Sequence, residues 1–273
     1  MSSKAIVSSE KITAIANAIR AKTGKTETMT LDDMPTEITS IEGSGGGGGS
    51  SEDEVGMLLS DTLTNIKCNA TLVREYIFRG SAGLVSIDLP EATTIESYAF
   101  YGCTKLAEIN FPKVTKIGSN VFYQCNGIET VNLPSLVSAG STVFYQCSGI
   151  TSAYVPLLET ISNTYFFRDC SYLEKADFPK LTSIAANAFN GCRSLEVLIL
   201  RANTVASLAN TNAFANCYRI LGTKNAGFNP TGKKTGFIYV PSALVEDYKV
   251  ATNWSNFATQ FRAIEDYPEI TGG

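Results

Sequence analysis

Residues 106–134 read LAEINFPKVTKIGSNVFYQCNGIETVNLP, and they contain one full period of the pattern that fills the middle of the chain. In each period a phenylalanine is followed three residues later by a cysteine, and successive phenylalanines lie 22, 22, 22, 23, 22 and 25 residues apart. Such a period predicts a solenoid, because one unit cannot bury its apolar face without its neighbours. The pairs are Phe78/Ser81, which is an imperfect first member, Phe100/Cys103, Phe122/Cys125, Phe144/Cys147, Phe167/Cys170, Phe189/Cys192 and Phe214/Cys217.

Each period predicts one strand and one return segment. Alternating apolar residues such as Ile109 and Phe111 predict a strand with one buried face. A proline follows this strand in five periods and ends it, because proline has no N–H for the ladder. Ile117 represents a second apolar column on the return segment, and the phenylalanine and cysteine are spaced as on one face of a short helical turn. We therefore expect an α/β solenoid with parallel stacked strands.

The charge composition argues against several classes of function. The 273 residues include 22 basic and 26 acidic side chains, and no run of lysine or arginine is interleaved with aromatics, which argues against nucleic acid as a partner. Histidine is absent, which excludes Ser-His-Asp and Cys-His catalysis and histidine-containing zinc sites. The repeats contribute no convergent acid, base or nucleophile. We therefore expect no enzyme activity, no cofactor and no metal.

The cysteines and the hydropathy pattern bear on the cellular compartment. Seven cysteines are an odd number, and all except Cys68 recur at one position of the repeat, so we expect reduced, buried packing residues. Disulfides between adjacent turns stay open as an alternative, because stacked strands lie only about 4.8 Å apart. The first ten residues lack the pattern of a secretory signal, and no apolar run could span a bilayer. The expectation is a chain that is made and remains in a cytosol.

The flanks predict additional segments. Residues 1–42 predict a helical anchoring or oligomerisation segment, in which Ile12, Ile15 and Ile19 share one helix face and a second short helix follows at 31–41. Helices this short are marginal alone, so they need a partner and favour a homo-oligomer. Residues 43–51 form a Gly/Ser linker that separates this segment from a repeat domain at 52–273. That domain is expected to have an N-terminal helical cap at 52–64 and a C-terminal cap at 237–273, where Ser242 caps a short helix.

Two rows of side chains are candidate binding surfaces. The outward positions of the strands form one row, and a row of tyrosines beside the phenylalanine column, on the opposite edge, forms a weaker second. Tyrosine and arginine are enriched in binding hot spots, and a solenoid presents such residues in repeated rows. The alternative for both rows is that these are ordinary solvated positions, which repeat duplication has kept similar. The strand row is Glu108, Asn110, Thr130, Asn132, Tyr154, Lys175 and Asp177, and the second row is Tyr101, Tyr123, Tyr145 and Arg168.

The repeat at 106–134 resembles the BspA-type leucine-rich repeat family. This resemblance covers about residues 65–267 and implies a right-handed leucine-rich-repeat solenoid with parallel strands on its concave side, whose work is binding. The family occurs in bacterial surface adhesins and in other bacterial and phage proteins. Residues 4–24 and 31–38 resemble N-terminal helical segments of virion proteins from phages of Gram-positive gut bacteria, and residues 238–254 are similar to C-terminal closures of such repeat proteins. Three features depart from the pattern: Ser81 in place of a cysteine, Arg201 in place of a proline, and an insertion at 222–236.

These resemblances favour a phage virion component such as a tail fibre or baseplate protein that is assembled in the host cytoplasm. Its N-terminal helices would bind virion proteins, and its repeats would bind a host cell-surface protein or glycan. A bacterial BspA-like surface adhesin or interaction module is the alternative, and it would require export. Residues 227–234 are close in sequence to a phosphate-binding loop. We expect an ordinary solvated loop instead, because Lys234 occupies the position where that motif needs serine or threonine.

Overall fold

The computed structural model describes residues 64–67, 70–162, 164–222 and 236–272. These residues form the expected solenoid of parallel strands. The predicted helices with Ile12, Ile15 and Ile19, the linker at 43–51 and all but the last residue of the predicted cap at 52–64 lie outside the described residues. So do Cys68 and residues 223–235 of the insertion.

Each coil contributes one strand to a long ribbon, and most coils contribute a two-residue strand to a second, short ribbon. Strands of the long ribbon are Asn65–Lys67, Ser86–Asp88, Glu108–Asn110, Thr130–Asn132, Ser152–Tyr154, Lys175–Phe178, Val197–Leu200, Phe237–Val240 and Phe261–Ala263. Strands of the short ribbon are Leu72–Val73, Thr94–Ile95, Lys116–Ile117, Ser138–Ala139, Thr160–Ile161, Ser183–Ile184 and Ser207–Leu208.

The register of the strands follows the sequence period. Ser86 pairs with Glu108 and Thr130 pairs with Ser152, so neighbouring strands are offset by one repeat and run parallel. The long ribbon is divided between Asn110 and Thr130 into sheets of three and six strands, and the short ribbon is likewise divided into sheets of four and three strands. The strand after the insertion keeps the register, because Phe237 pairs with Val197.

The segment that carries the phenylalanine and the cysteine is a pair of turns. The prediction of a short helical turn is wrong for the described coils before residue 211, where helices are absent. The Cys125 N–H donates to the Phe122 carbonyl at 3.1 Å, and the chain reverses through residues with positive φ, such as Asn120 at 57° and Gln124 at 60°. Each of these coils before residue 211 has two left-handed residues, and they reverse the direction of the backbone.

The core contains a continuous stack of phenylalanine rings. Neighbouring rings from Phe78 to Phe214 lie nearly parallel, with centroids 5.2–5.8 Å apart. The predicted cysteines are free and buried, and each thiol donates to the phenylalanine carbonyl of the preceding coil at 2.7–3.1 Å. The thiol therefore packs the core and also satisfies a backbone acceptor. Ser81 is buried at the same position of its coil.

The C-terminal segment packs over the last coil. Trp254 and Phe257 contact the Phe214 ring at centroid distances of 5.8 and 5.3 Å, and the Trp254 indole donates to the Ala206 carbonyl at 2.6 Å. Ser242 does not cap the following helix with its side chain, so that prediction is wrong; instead its N–H donates to the Glu265 carboxylate at 2.9 Å. The helices of the C-terminal region are Thr211–Phe214, Tyr218–Leu221, Ser242–Leu244, Val245–Val250, Trp254–Gln260, Ile264–Asp266 and Pro268–Thr271.

Candidate binding surfaces

The strand face, defined as the outward side chains of the long ribbon, is accessible in its middle. Glu108, Asn110, Thr130 and Asn132 are exposed, and Tyr154 keeps 45% of its surface. These side chains are mostly short and polar, and their contacts run along the ribbon, as when the Ser152 hydroxyl donates to the Thr130 hydroxyl at 3.4 Å. The result is a shallow polar surface with one large aromatic residue.

The C-terminal end of the strand face is covered by the chain itself. Lys175 donates to the Ile270 carbonyl at 2.7 Å, and Asp177 is only 8% exposed. The expectation that Asp177 presents an accessible carboxylate is therefore wrong. Its two oxygens accept hydrogen bonds from Arg201 at 3.2 and 2.8 Å, so it is a buried partner of an ion pair.

This cover explains one departure from the repeat pattern. Arg201 stands where other repeats have proline, and its guanidinium also donates to the carbonyl of Thr271. The helix Pro268–Thr271 thus ends on two cations, which satisfy carbonyls that a helix C-terminus leaves without partners. Tyr267 packs edge-on against buried Tyr239 at 5.6 Å. The segment shields the apolar end of the ribbon from water.

The second candidate row is part of a longer tyrosine ladder, which consists of Tyr76, Tyr98, Tyr101, Tyr123, Tyr145 and Tyr165. Each ring contacts the next. The centroid distances in this order are 5.0, 5.8, 4.6, 5.0 and 6.0 Å. All six side chains are half-buried, so one part of each ring packs against the solenoid and the remainder faces solvent.

An arginine lies over the rings at each end of the ladder. The Arg79 guanidinium is 5.5 Å from the ring centroids of both Tyr76 and Tyr101. Arg168 lies 5.6 Å from the Tyr145 centroid and 4.6 Å from that of Tyr165. These distances are within the range of cation–π interactions, which hold both partners in place. The structure therefore brings together all four residues of the predicted second row.

The two rows predicted from the sequence did not include Tyr76, Tyr98, Tyr165 and Arg79. Arg79 was detectable, because it follows Phe78 as Tyr101 follows Phe100. The other three tyrosines lie two residues before their phenylalanine and adopt left-handed backbone conformations, with φ of 61°, 59° and 71°. The left-handed turn brings this position beside the residue that follows the phenylalanine, as the contact between Tyr98 and Tyr101 shows.

The ladder is electrically neutral along its length. Burial, followed by the proximity of Tyr101 and Tyr145, raises the pKa of Tyr123, which also shares a hydrogen bond with Tyr101. Burial likewise raises the pKa of Tyr76. The hydroxyls of Tyr76 and Tyr123 thus remain protonated at neutral pH and can both donate and accept hydrogen bonds. Asp169 lies 3.5 Å from the Arg168 guanidinium and balances its charge.

The thiols of the repeat cysteines are withdrawn from solvent. Burial raises the pKa of the thiols of Cys147 and Cys217 far above the ordinary value, so they are poor nucleophiles. In the part of the chain that the structure describes, acidic and thiol side chains form no group that could hold a metal ion. Across the same residues, helices are too short or too polar to span a membrane.

Comparisons with known proteins identify the repeat. The family model described as the BspA type leucine rich repeat region (6 copies) matches residues 93–221. The crystal structure of a T. pallidum leucine-rich repeat protein is 30% identical, with a TM-score of 0.50, over 55% of this chain and 71% of that chain. None of the curated protein sequences matches the chain.

Two further structures are more distant. A leucine-rich repeat protein from Bacteroides ovatus is 21% identical with a TM-score of 0.40, over 71% of this chain and 57% of that chain. One from Eubacterium ventriosum is 20% identical with a TM-score of 0.46, over 64% of this chain and 45% of that chain. The chain thus spans about half the length of these two proteins.

Proposed function

The chain belongs to the BspA-type leucine-rich repeat family, and from that premise we propose that it is a non-enzymatic binding module that attaches to bacterial cells through the tyrosine ladder. The observation that carries this proposal is the unbroken ring contact of six half-exposed tyrosines, with an arginine over the rings at each end. Tyrosine and arginine are the residues most often found in binding hot spots.

The tyrosine ladder supports binding better than the strand face does. At its C-terminal end the strand face is covered by residues 267–271, and Lys175 and Asp177 already have partners there. In its middle, short polar side chains offer little apolar area. Aromatic rings bury large areas and lose little conformational entropy on binding. Because the ladder rings already pack on one another, much of the ordering cost is met when the protein folds.

Cell attachment tests this proposal directly. The fluorescently labelled full-length protein is expected to bind intact cells of at least one species in a panel of Gram-positive gut bacteria. Tyr123→Ala should weaken this binding at least about tenfold, as for a hot-spot aromatic. Tyr154→Ala is the matched control, since it removes an accessible tyrosine from the strand face. Equal loss in both variants, or binding to none of the species, would count against the proposal.

We further propose that a phage virion carries the module, as a tail fibre, baseplate or other appendage protein, with residues 1–42 bound to other virion proteins. Support comes from the resemblance of residues 4–24 and 31–38 to virion proteins. In a homo-oligomer, several ladders would act together, so that weak single contacts multiply into firm attachment. Deleting residues 1–42 should then abolish incorporation into particles, and a truncated chain that still incorporates would contradict the anchoring role.

A location on the bacterial surface is the second candidate, and the family relationship favours it. The bacterial-surface location and the virion location predict different antibody labelling. Antibodies against the repeat domain would label intact producing bacteria before any lysis, whereas a virion protein would be labelled only on released particles. Imaging of both samples decides between the two locations without changing the proposed binding surface.

A further inference from the structure

We propose that the ligand of the tyrosine ladder is an extended, uncharged glycan that lies along the solenoid axis. This inference rests on the proposed function and specifies the ligand class of the same site. Its support comes from the spacing, the hydrogen-bonding groups and the charge of the ladder and its neighbours.

The spacing of the ladder matches a polymer with a repeat of similar length. The ring centroids of Tyr101, Tyr123 and Tyr145 are 4.6 and 5.0 Å apart, because consecutive coils stack at the distance of paired strands. An extended peptide rises only about 3.3 Å per residue, so its side chains would lose register with the rings within a few coils. The length of one pyranose unit in an extended glycan is close to the distance between consecutive coils. Each coil can therefore contact one sugar.

The chemistry of the edge suits sugar hydroxyls. The Tyr101 and Tyr123 rings lie face to face at an angle of 8°, so they cover each other and offer solvent mainly their edges and hydroxyls. Beside them, Gln124 donates to Gln146 at 3.0 Å, which continues a polar row along the same edge. Hydroxyls and amides both donate and accept, as sugar hydroxyls do. Ring edges provide apolar contact for sugar C–H groups.

The charge of the edge disfavours an anionic polymer. Arg74, Arg79 and Arg168 contribute three positive charges, and Glu75, Glu96 and Asp169 contribute three negative charges, which gives a net of zero. Burial and then the charge of Glu75 raise the pKa of Tyr76, and the Glu75 N–H donates to the Glu96 carboxylate at 3.0 Å, so both acids belong to this edge. Arg79 and Arg168 already lie over tyrosine rings. A chain of phosphates or uronates would find no excess of positive charge to pair with.

The experiment uses isolated cell walls of a species that the full-length protein binds. Walls are first treated with a protease, and polysaccharide released from them is divided by anion exchange into a flow-through fraction and a retained fraction. Binding to protease-treated walls should persist, and the uncharged flow-through fraction should compete with it. Raising the salt concentration well above physiological should change the affinity less than about twofold, because screening acts on charge pairs.

Variants link this result to the ladder. Tyr123→Ala should lower the affinity for the flow-through fraction at least about tenfold, and Tyr123→Phe should show an intermediate loss, because it keeps the ring and removes the hydroxyl. Tyr154→Ala should bind as the unsubstituted protein does, and thermal unfolding of all variants reports whether they are folded. If Tyr123→Ala does not fold, Tyr123→Phe alone carries the test, and unchanged affinity overturns the inference.

The outcomes separate this inference from the proposed function. Loss of binding after protease treatment would identify a protein ligand, and competition by the retained fraction alone would identify a polyanion. Either result overturns the glycan inference and leaves cell attachment through the ladder intact. Failure to bind any cells or walls would overturn both.

Discussion

Alkaline pH is expected to unfold the protein through its buried thiols. Burial raises the pKa of Cys125, Cys147, Cys170, Cys192 and Cys217 above the ordinary value. In the unfolded chain the same thiols ionise near pH 8.5, about as free cysteine does. Between about pH 8.5 and the raised pKa of the folded protein, the unfolded chain has lost thiol protons that the folded protein keeps. The stability linked to the thiols is therefore fully present below about pH 8.5 and decreases as the pH rises.

The size of this loss follows from the number of thiols. Above the unfolded pKa, each thiol lowers the free energy of unfolding by about 1.4 kcal/mol per pH unit. At about pH 10 this amounts to about 2 kcal/mol for one thiol and about 10 kcal/mol for the five. A domain has about 5–15 kcal/mol of stability in total. We therefore expect the fold to lose most of its stability between about pH 8.5 and pH 10.

Two measurements check this expectation. Urea unfolding followed by far-UV circular dichroism, at several pH values from about 7.5 to 10, gives the free energy of unfolding, with a phosphine reductant present to prevent disulfides. The protons released on unfolding at about pH 10, measured in weakly buffered solution, should include about one for each of the five thiols. This count does not depend on fitting an unfolding curve, which is useful for a repeat protein that can unfold in stages.

The control is a variant in which two of the five thiols are absent, Cys147→Ala with Cys170→Ala. It is less stable at every pH because of the lost packing, but its stability should decline with pH about two fifths less steeply, since three thiols remain. Tyrosine and lysine titrate equally in both proteins and cancel in the comparison. Equal slopes in the two proteins would refute the assignment of the alkaline transition to the thiols.

Four further substitutions test separate parts of the structure. Arg201→Met should cost up to about 3 kcal/mol, the lower end for a buried pair because the Arg201 side chain is 26% exposed. Asp177→Asn should recover part of this cost in the double variant; additive losses in urea unfolding would contradict the coupling. Phe144→Ala should cost about 3–5 kcal/mol in the same assay, more than Phe144→Leu, and equal costs would mean that the ring stack is unimportant. Gly149→Ala should lower the urea midpoint, because its Cβ would lie 2.1 Å from a backbone carbonyl oxygen, and an unchanged midpoint would disprove that contact. Tyr98→Asn should leave the urea midpoint unchanged or raised while cell binding weakens, and a fall in both would indicate a structural role only.

The repeat period predicted much of the fold because it also fixes the contacts. Once one coil is known, each residue meets its equivalent one period away, as Ser86 meets Glu108. Of the predicted apolar residues, Phe111 and Ile117 are fully buried, and Ile109 is half-buried against the core. Local helix rules failed inside the coil, because left-handed residues replace the expected helical turn, and at Ser242, whose side chain caps no helix.

Contacts outside the period could not be predicted from it. Asp177 occupies the same column as Asn132 and Tyr154, so the repeat treats all three as equivalent outward positions. Its burial depends on a segment that has no counterpart in the repeats; the contact from Lys175 to Ile270, for example, spans 95 residues. Arg201 was visible as a departure from the pattern, but its partners were not, because sequence spacing carries no information on where a non-repeated tail folds back.

The left-handed tyrosines carry backbone strain that the turn itself does not require. A bulky residue with positive φ costs about 1 kcal/mol or more relative to glycine, whereas asparagine tolerates this conformation. Asn120 and Asn187 occupy the same position as Tyr98 in their coils, with φ of 57° and 60°, so the turn does not require an aromatic residue. Tyr98 contacts the rings of Tyr76 and Tyr101 and remains half-exposed. Tyr98→Asn removes the strain together with the ring, so its effects on stability and on binding should separate. Strain that the turn does not require supports the proposal that the ladder holds this side chain in place for a ligand.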